Sequence, residues 1–159
     1  MRSISPNSKA VLTVRILENP YIPHRPTPKQ AEFLLDDRRE ILYGGAAGGG
    51  KSLGLLMAAL MYVGEPGYTA LLLRRTYKDL ALPEAIMDLA EQWLHNTDAK
   101  WNNDTKTWSF PSGASLTFGY LETEKDKYRY QGAKFNFVGF DELTDRKSTR
   151  LNSSHRIRS

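Results

Sequence analysis

The stretch Tyr43-Gly44-Gly45-Ala46-Ala47-Gly48-Gly49-Gly50-Lys51-Ser52 decides the fold of this 159-residue chain. Gly45, four residues, then Gly50, Lys51 and Ser52 fit the phosphate-loop pattern G-x-x-x-x-G-K-[ST]. Glycines let successive backbone N–H groups turn inward toward phosphate oxygens, where a Cβ would obstruct them. A helix starting behind the loop adds its positive dipole end and its unsatisfied N–H groups. In that arrangement Gly45, Ala46, Ala47, Gly48, Gly49 and Gly50 cradle a nucleotide, Lys51 reaches the β- and γ-phosphates, and Ser52 ligates Mg²⁺. The competing interpretation is a flexible Gly-rich turn that happens to precede Lys-Ser. The flanks argue against it: the short apolar run Glu40 to Tyr43 stands before the loop, and the apolar helix pattern Leu53 to Val63 follows.

Downstream, Gly64-Glu65-Pro66-Gly67 stops that helix, and Thr69 to Leu73 is a continuous apolar strand closed by Arg74-Arg75. Pro83 opens a helix with Ile86, Leu89, Ala90, Trp93 and Leu94 at helical spacing. Thr105 to Phe110 and Ala114 to Tyr120 flank Pro111-Ser112-Gly113, which reads as a β-hairpin. Glu122 to Arg129 reads as a short charged helix. Phe135 to Phe140 is a second buried strand, ending in Asp141-Glu142. Strands alternating with helices predict an α/β fold: a mainly parallel sheet flanked by helices, with a β-hairpin insertion. An Asp at the end of such a strand suits Mg²⁺ ligation, and an adjacent Glu suits a general base that polarises water. Two solvated acids capping a strand are common on their own. Paired with the loop, Asp141 and Glu142 point to hydrolysis rather than binding alone.

Upstream, residues 1–10 read as a polar lead-in and Val11 to Leu17 as a short strand. Pro20, Pro23, Pro26 and Pro28 force an extended stretch. A helix then starts with Thr27 as N-cap, Pro28 at its first position and Gln30 three residues after the cap, burying Ala31, Phe33, Leu34 and Leu35. Gln30 has two readings of equal weight: an amide that reads adenine, or one half of a capping box. Arg74 and Arg75 end a strand beside the presumed site, where they either neutralise phosphate charge or are merely solvated. Arg129 and Lys134, flanking Gln131-Gly132, raise the same question. His24 and His95 lack partner ligands at metal-site spacing.

Composition sets the bounds. With 40% hydrophobic residues the chain can bury a core, and with no Cys it has neither a disulfide framework nor a Cys-based zinc site. No stretch approaches the ~18 apolar residues of a membrane span. The polar start Met1 to Lys9 carries no secretory h-region, which makes a cytosolic setting the default.

The order of motifs resembles the ATPase domain of the large terminase subunit of tailed double-stranded DNA phages. The matching residues are Thr27-Pro28-Lys29-Gln30 with Phe33-Leu34, Tyr43-Gly44-Gly45 into Gly50-Lys51-Ser52, Leu73-Arg74-Arg75-Thr76-Tyr77, and Phe118-Gly119-Tyr120. They end with Tyr130-Gln131-Gly132-Ala133-Lys134-Phe135, running into Gly139-Phe140-Asp141-Glu142-Leu143-Thr144. The resemblance covers roughly residues 20–144. It implies a P-loop NTPase of the additional-strand, catalytic-glutamate (RecA-like) class that uses ATP and Mg²⁺ to drive DNA into a procapsid. The expected partners are double-stranded DNA, a portal protein, a small terminase subunit and further copies in a ring, in the host bacterial cytoplasm with no membrane involved. By position, Gln30 would read adenine, Gly45 to Ser52 would form the Walker A loop, Asp141 would hold Mg²⁺, and Lys51 and Glu142 would be catalytic. Many family members carry an Arg before the glycine that matches Gly132, as a finger acting on a neighbour's ATP. Gln131 stands there instead, which makes Arg129 or Arg74 the substitutes.

The resemblance also implies a coupling motif, a lid and a nuclease domain after Glu142, and none follows, so the domain reads as truncated. Residues 1–26 then form an N-terminal extension and 27–144 a partial ATPase domain. Residues 145–159 show no apolar period and read as the in-frame translation of a sequencing-library adapter; the alternative is a basic tail contacting DNA. That segment holds five basic residues and one acid, leaving 17 basic and 17 acidic among the other 144, so the net charge of +4 lies wholly within it. Other functional readings are a helicase-like P-loop translocase and a nucleotide-binding module without turnover.

Overall fold

The computed structural model describes residues 6–38, 40–44, 50–75, 85–130, 133–141 and 153–158, and of 40–44, 127 and 153–158 the backbone alone. Among the described residues seven strands form one sheet: β1 (Glu40–Gly44), β2 (Thr69–Arg74), β3 (Lys100–Asn102), β4 (Thr107–Ser109), β5 (Ser115–Tyr120), β6 (Phe137–Phe140) and β7 (Ser153–Arg158). Their spatial order is β1-β7-β6-β2-β5-β4-β3. At the centre β2 pairs in parallel with both β5 and β6, while β4 and β7 run against their neighbours. Five of the seven strands therefore share one direction, and the architecture is mixed α/β with a parallel centre.

The α-helices among the described residues are α1 (Pro6–Leu12), α2 (Pro28–Leu35), α3 (Gly50–Leu60), α4 (Ile86–Leu94) and α5 (Glu124–Tyr130). β2 alternates faces as its pleat requires. Ala70 and Leu72 point into the main core with Leu55, Leu56 and Leu60 of α3 and Ile86, Ala90 and Leu94 of α4. Leu71 and Leu73 point to the other side. There, with Val138, Leu121 and Tyr130, they line a cavity of about 520 Å³.

Gly67, at φ +74°, and Gly113, at φ +90°, take the left-handed backbone that turns the chain into β2 and β5. The hairpin expected around Pro111-Ser112-Gly113 forms as β4 and β5. The third strand at that edge, Lys100–Asn102, escapes a sequence reading because three residues show no alternation. Pro83 lies outside the described residues.

One expectation is corrected. Val11 to Leu17 is helical, not a strand: α1 runs into a π-helical turn over Thr13–Leu17, closed by Glu18 N–H donating to the Thr13 carbonyl at 2.8 Å. A strand would bury alternate side chains, whereas here Ile16 alone is fully buried and Val14 and Leu17 lie outside. Asn19 fixes the turn against α3 by donating through Nδ2 to the carbonyls of Arg15 (2.9 Å) and Leu60 (3.0 Å). Ile16 and Ile22 join the main core, so the N-terminal extension is packed into the domain. The C-terminal segment, read from its sequence as an adapter translation or a basic tail, contributes a strand. Ser153–Arg158 forms β7, between β1 and β6, antiparallel to both. Ladder hydrogen bonds are made by the main chain, so two strand edges one strand-width apart accept a polar segment as a partner.

Candidate functional site

The site forms where α3 begins and the parallel strands end. β2 and β6 lie in register with Leu73 opposite Phe140, so the next residue on each strand, Arg74 and Asp141, reaches the same sheet end. The Asp141 N–H donates to the Leu73 carbonyl at 2.8 Å, which sets the height of the carboxylate. On the facing helix, Ser52 Oγ donates to Asp141 at 3.0 Å from Oδ1 and 3.1 Å from Oδ2. These residues lie 89 positions apart in the chain. The fold thus brings the last residue of the G-x-x-x-x-G-K-S run onto the first acid of Asp141-Glu142.

The third member of the cluster is Arg74. Its Nε donates to Asp141 Oδ2 at 3.0 Å, and its Nη2 contacts the same oxygen. Both side chains are almost wholly buried, at 3% and 4% exposed. A carboxylate so far from water requires compensation, and one guanidinium plus one hydroxyl supply it. Arg74 was a candidate for reaching another subunit's nucleotide. Burial against Asp141 directs its charge into its own domain.

Gln30 is equally committed. The capping box is complete: Thr27 N–H donates to Gln30 Oε1 at 2.9 Å, and Gln30 N–H donates to Thr27 Oγ1 at 3.2 Å. Gln30 Nε2 also donates to the Gly50 carbonyl at 2.8 Å. The buried amide therefore ties the start of α2 to the first residue of α3. Lys51 and Ser52 are half-buried on the opening turn of α3.

A divalent cation fits this donor set. Mg²⁺ takes oxygen ligands at about 2.0–2.1 Å in octahedral geometry, so adjacent ligands stand about 3 Å apart. Ser52 Oγ and Asp141 Oδ1 have that spacing. Among the described residues no group of three or more His, Asp or Glu side chains is placed to hold a metal, so phosphate oxygens and water would complete the shell.

A family model described as terminase large subunit, T4-like-virus type, N-terminal, matches residues 42–159. The chain belongs to the terminase large subunit family. No curated protein and no solved structure matches it. The matched region of this terminase chain contains Lys51, Ser52, Arg74, Arg129 and Asp141, runs through Ser153–Arg158, and begins after Gln30.

Several expected site residues are not brought to the cluster or lie beyond description. Gly45 to Gly49, Gln131, Gly132 and Glu142 fall outside the described residues. Arg129 lies exposed on α5, 3.3 Å from Asp126 and stacked 4.8 Å over the Tyr120 ring. The Tyr120 hydroxyl and its charge raise the Arg129 pKa further. Asp126 in turn is held below the usual carboxylate range by N–H donors of Thr123 and Glu122. Arg75 is exposed at the end of β2, and Lys134 is exposed before β6. No helix among the described residues is long and apolar enough to cross a membrane. The Arg74–Asp141 pair was missed in the sequence, although both residues directly follow apolar strands, because strand order and register are needed to make them neighbours.

Proposed function

We propose that this chain is the ATP-hydrolysing motor domain of a phage terminase large subunit, a P-loop NTPase of the RecA-like, catalytic-glutamate class that powers packaging of double-stranded DNA. The observation that carries the proposal is the Ser52–Asp141 contact: the hydroxyl that ends the phosphate-loop motif lies 3.0 Å from the acid that ends β6. Family membership supplies the packaging context.

In this reading the Gly45–Gly50 backbone and the start of α3 bind the phosphates, and Lys51 neutralises the β- and γ-oxygens. Ser52 and Asp141 hold Mg²⁺, which when bound offsets charge building on the transferred phosphoryl group. Glu142 takes the proton of the attacking water. Gln30, already bonded to Gly50, couples any adenine contact to the loop. Exposed Arg129 is the better placed of the two arginines for a neighbour's nucleotide in a ring. Portal protein, small terminase subunit and a host cytoplasmic setting follow from the packaging role.

The test is nucleotide binding and phosphate release by the protein with double-stranded DNA and procapsids. Lys51→Ala is expected to abolish nucleotide binding. Glu142→Gln is expected to keep binding and lose at least about a hundredfold in turnover, as removal of a general base does. Wild-type turnover by Glu142→Gln would remove that residue from the mechanism. Binding without phosphate release by the wild-type protein would favour a nucleotide-binding module over a motor.

A further inference from the structure

Arg74 is a buried charge for which the proposed hydrolysis has no use. Its place is fixed by the sheet rather than by its own flexible stem. It is the last residue of β2, its carbonyl accepts from Leu121 N–H at 3.0 Å, and the carbonyl of its neighbour Leu73 accepts from Asp141 N–H at 2.8 Å. The backbones of the two charged residues are therefore locked side by side. Within the pair, two guanidinium nitrogens of Arg74 contact Oδ2, while Ser52 Oγ spans the carboxylate at 3.0 Å from Oδ1 and 3.1 Å from Oδ2.

We propose that Arg74 is a positioning residue for the metal-binding carboxylate: a cation built into the sheet that shares Asp141 with the divalent ion and sets how tightly that ion is held. The proposal rests on the reading of Asp141 as the Mg²⁺ residue. Two effects act together. By gripping Oδ2 the guanidinium fixes the carboxylate rotamer and holds the carboxylate beside Ser52, where a metal would bind. Its positive charge would also act on a metal held by the same carboxylate, in a poorly hydrated site where like charges repel more strongly than in water. Arg74 and the metal thus compete for one negative charge, and the coupling is reciprocal. A bound metal makes the fold less dependent on Arg74, and loss of the Arg74 charge makes the metal bind more tightly. A purely structural ion pair would show neither effect.

The probe is Mn²⁺ alone, titrated with the free ion followed by electron paramagnetic resonance and thermal unfolding measured alongside. Arg74→Gln keeps a donor toward Oδ2 but removes the charge, and is expected to bind Mn²⁺ on the order of tenfold more tightly than wild type. Its loss of melting temperature in EDTA should shrink when Mn²⁺ saturates. Arg74→Lys, which keeps the charge, should bind Mn²⁺ within about threefold of wild type. Unchanged or weaker Mn²⁺ binding by Arg74→Gln, or a melting deficit identical with and without metal, overturns the proposal. If Arg74→Gln does not fold, the wild-type Nε–H resonance of Arg74, assigned by its loss in Arg74→Lys, takes its place: it must shift on saturation with Mg²⁺, and an unmoved signal overturns the proposal. Asp141→Asn separates the two readings. If it binds Mn²⁺ as well as wild type, Asp141 is not the metal residue and both readings fall.

Discussion

Replacing Gly139 by alanine tests whether the packing between β6 and α3 is as tight as the site requires. A Cβ at this position would stand 2.8 Å from Leu55 Cδ1, 2.8 Å from Leu72 Cδ2 and 3.1 Å from the Phe137 ring. None of these neighbours is a loose surface chain, since Leu55 and Leu72 are fully buried and Phe137 is 4% exposed. Overpacking of this kind costs about 1–3 kcal/mol. Stiffening of the unfolded chain by Gly→Ala returns about 0.4–1 kcal/mol. The net is a loss of about 1–2 kcal/mol, which lowers the melting temperature of a domain this size by about 2–8 °C. The displaced contact matters for function, because Leu55 lies one helical turn after Ser52 and Gly139 lies two residues before Asp141. Pushing α3 away from β6 lengthens the Ser52–Asp141 contact, so divalent-cation affinity should fall together with stability. Thermal unfolding by circular dichroism and a Mn²⁺ titration measure both. Gly64→Ala is the control: nothing lies within 4 Å of its added Cβ, and it should leave the melting temperature unchanged or raise it. A Gly139→Ala protein that melts at or above the wild-type temperature refutes the packing argument.

Other outcomes follow from the same geometry. Gln30→Ala removes half of the capping box and the bond to the Gly50 carbonyl, and should cost about 1–2 kcal/mol without any nucleotide present. Comparing ATP and GTP dissociation constants of that variant then isolates any adenine reading from the structural role. Tyr21 donates to Asp98 Oδ1 at 2.6 Å. Burial, then that hydrogen bond and the carboxylate's charge, push its pKa from 10.0 to about 12. Its contribution to stability is therefore complete below pH ~10 and is lost as the pH climbs toward ~12. Melting temperatures across that window should fall less steeply in Tyr21→Phe than in wild type.

The elements legible in the sequence are those whose signal is local. Thr27, Pro28 and Gln30 announce the start of α2 because a cap, a fixed φ and a returning amide all act within four residues. The apolar runs before Lys51 and before Asp141 announce two strands. What escaped depends on distant partners. Val11, Val14 and Ile16 have the β-branched composition of a strand, yet docking of Ile16 and Asn19 on the core wins over propensity. The capping role of Gln30 is legible in the sequence, but its bond to the Gly50 carbonyl is not, because Gly50 is twenty residues away. The strand formed by Ser153–Arg158 has almost no side-chain signature, since the edges of β1 and β6 select a partner through backbone groups.

That last strand governs alignment at the site. Glu40 to Gly44 has Ser153–Arg158 as its sheet neighbour, so its height relative to the strand bearing Asp141 is passed on at second hand. His155 faces Leu42 on one side and Phe140 on the other, and Arg156 faces Ile41 and Gly139. Six residues thus act as a ruler between the springing point of the glycine loop and its acidic counterpart. A slip of two residues in either ladder keeps every side chain on its own face while moving the loop about 7 Å along the sheet. That is more than three Mg²⁺–oxygen bond lengths. Such an error would leave secondary structure and much of the core intact and still abolish metal binding.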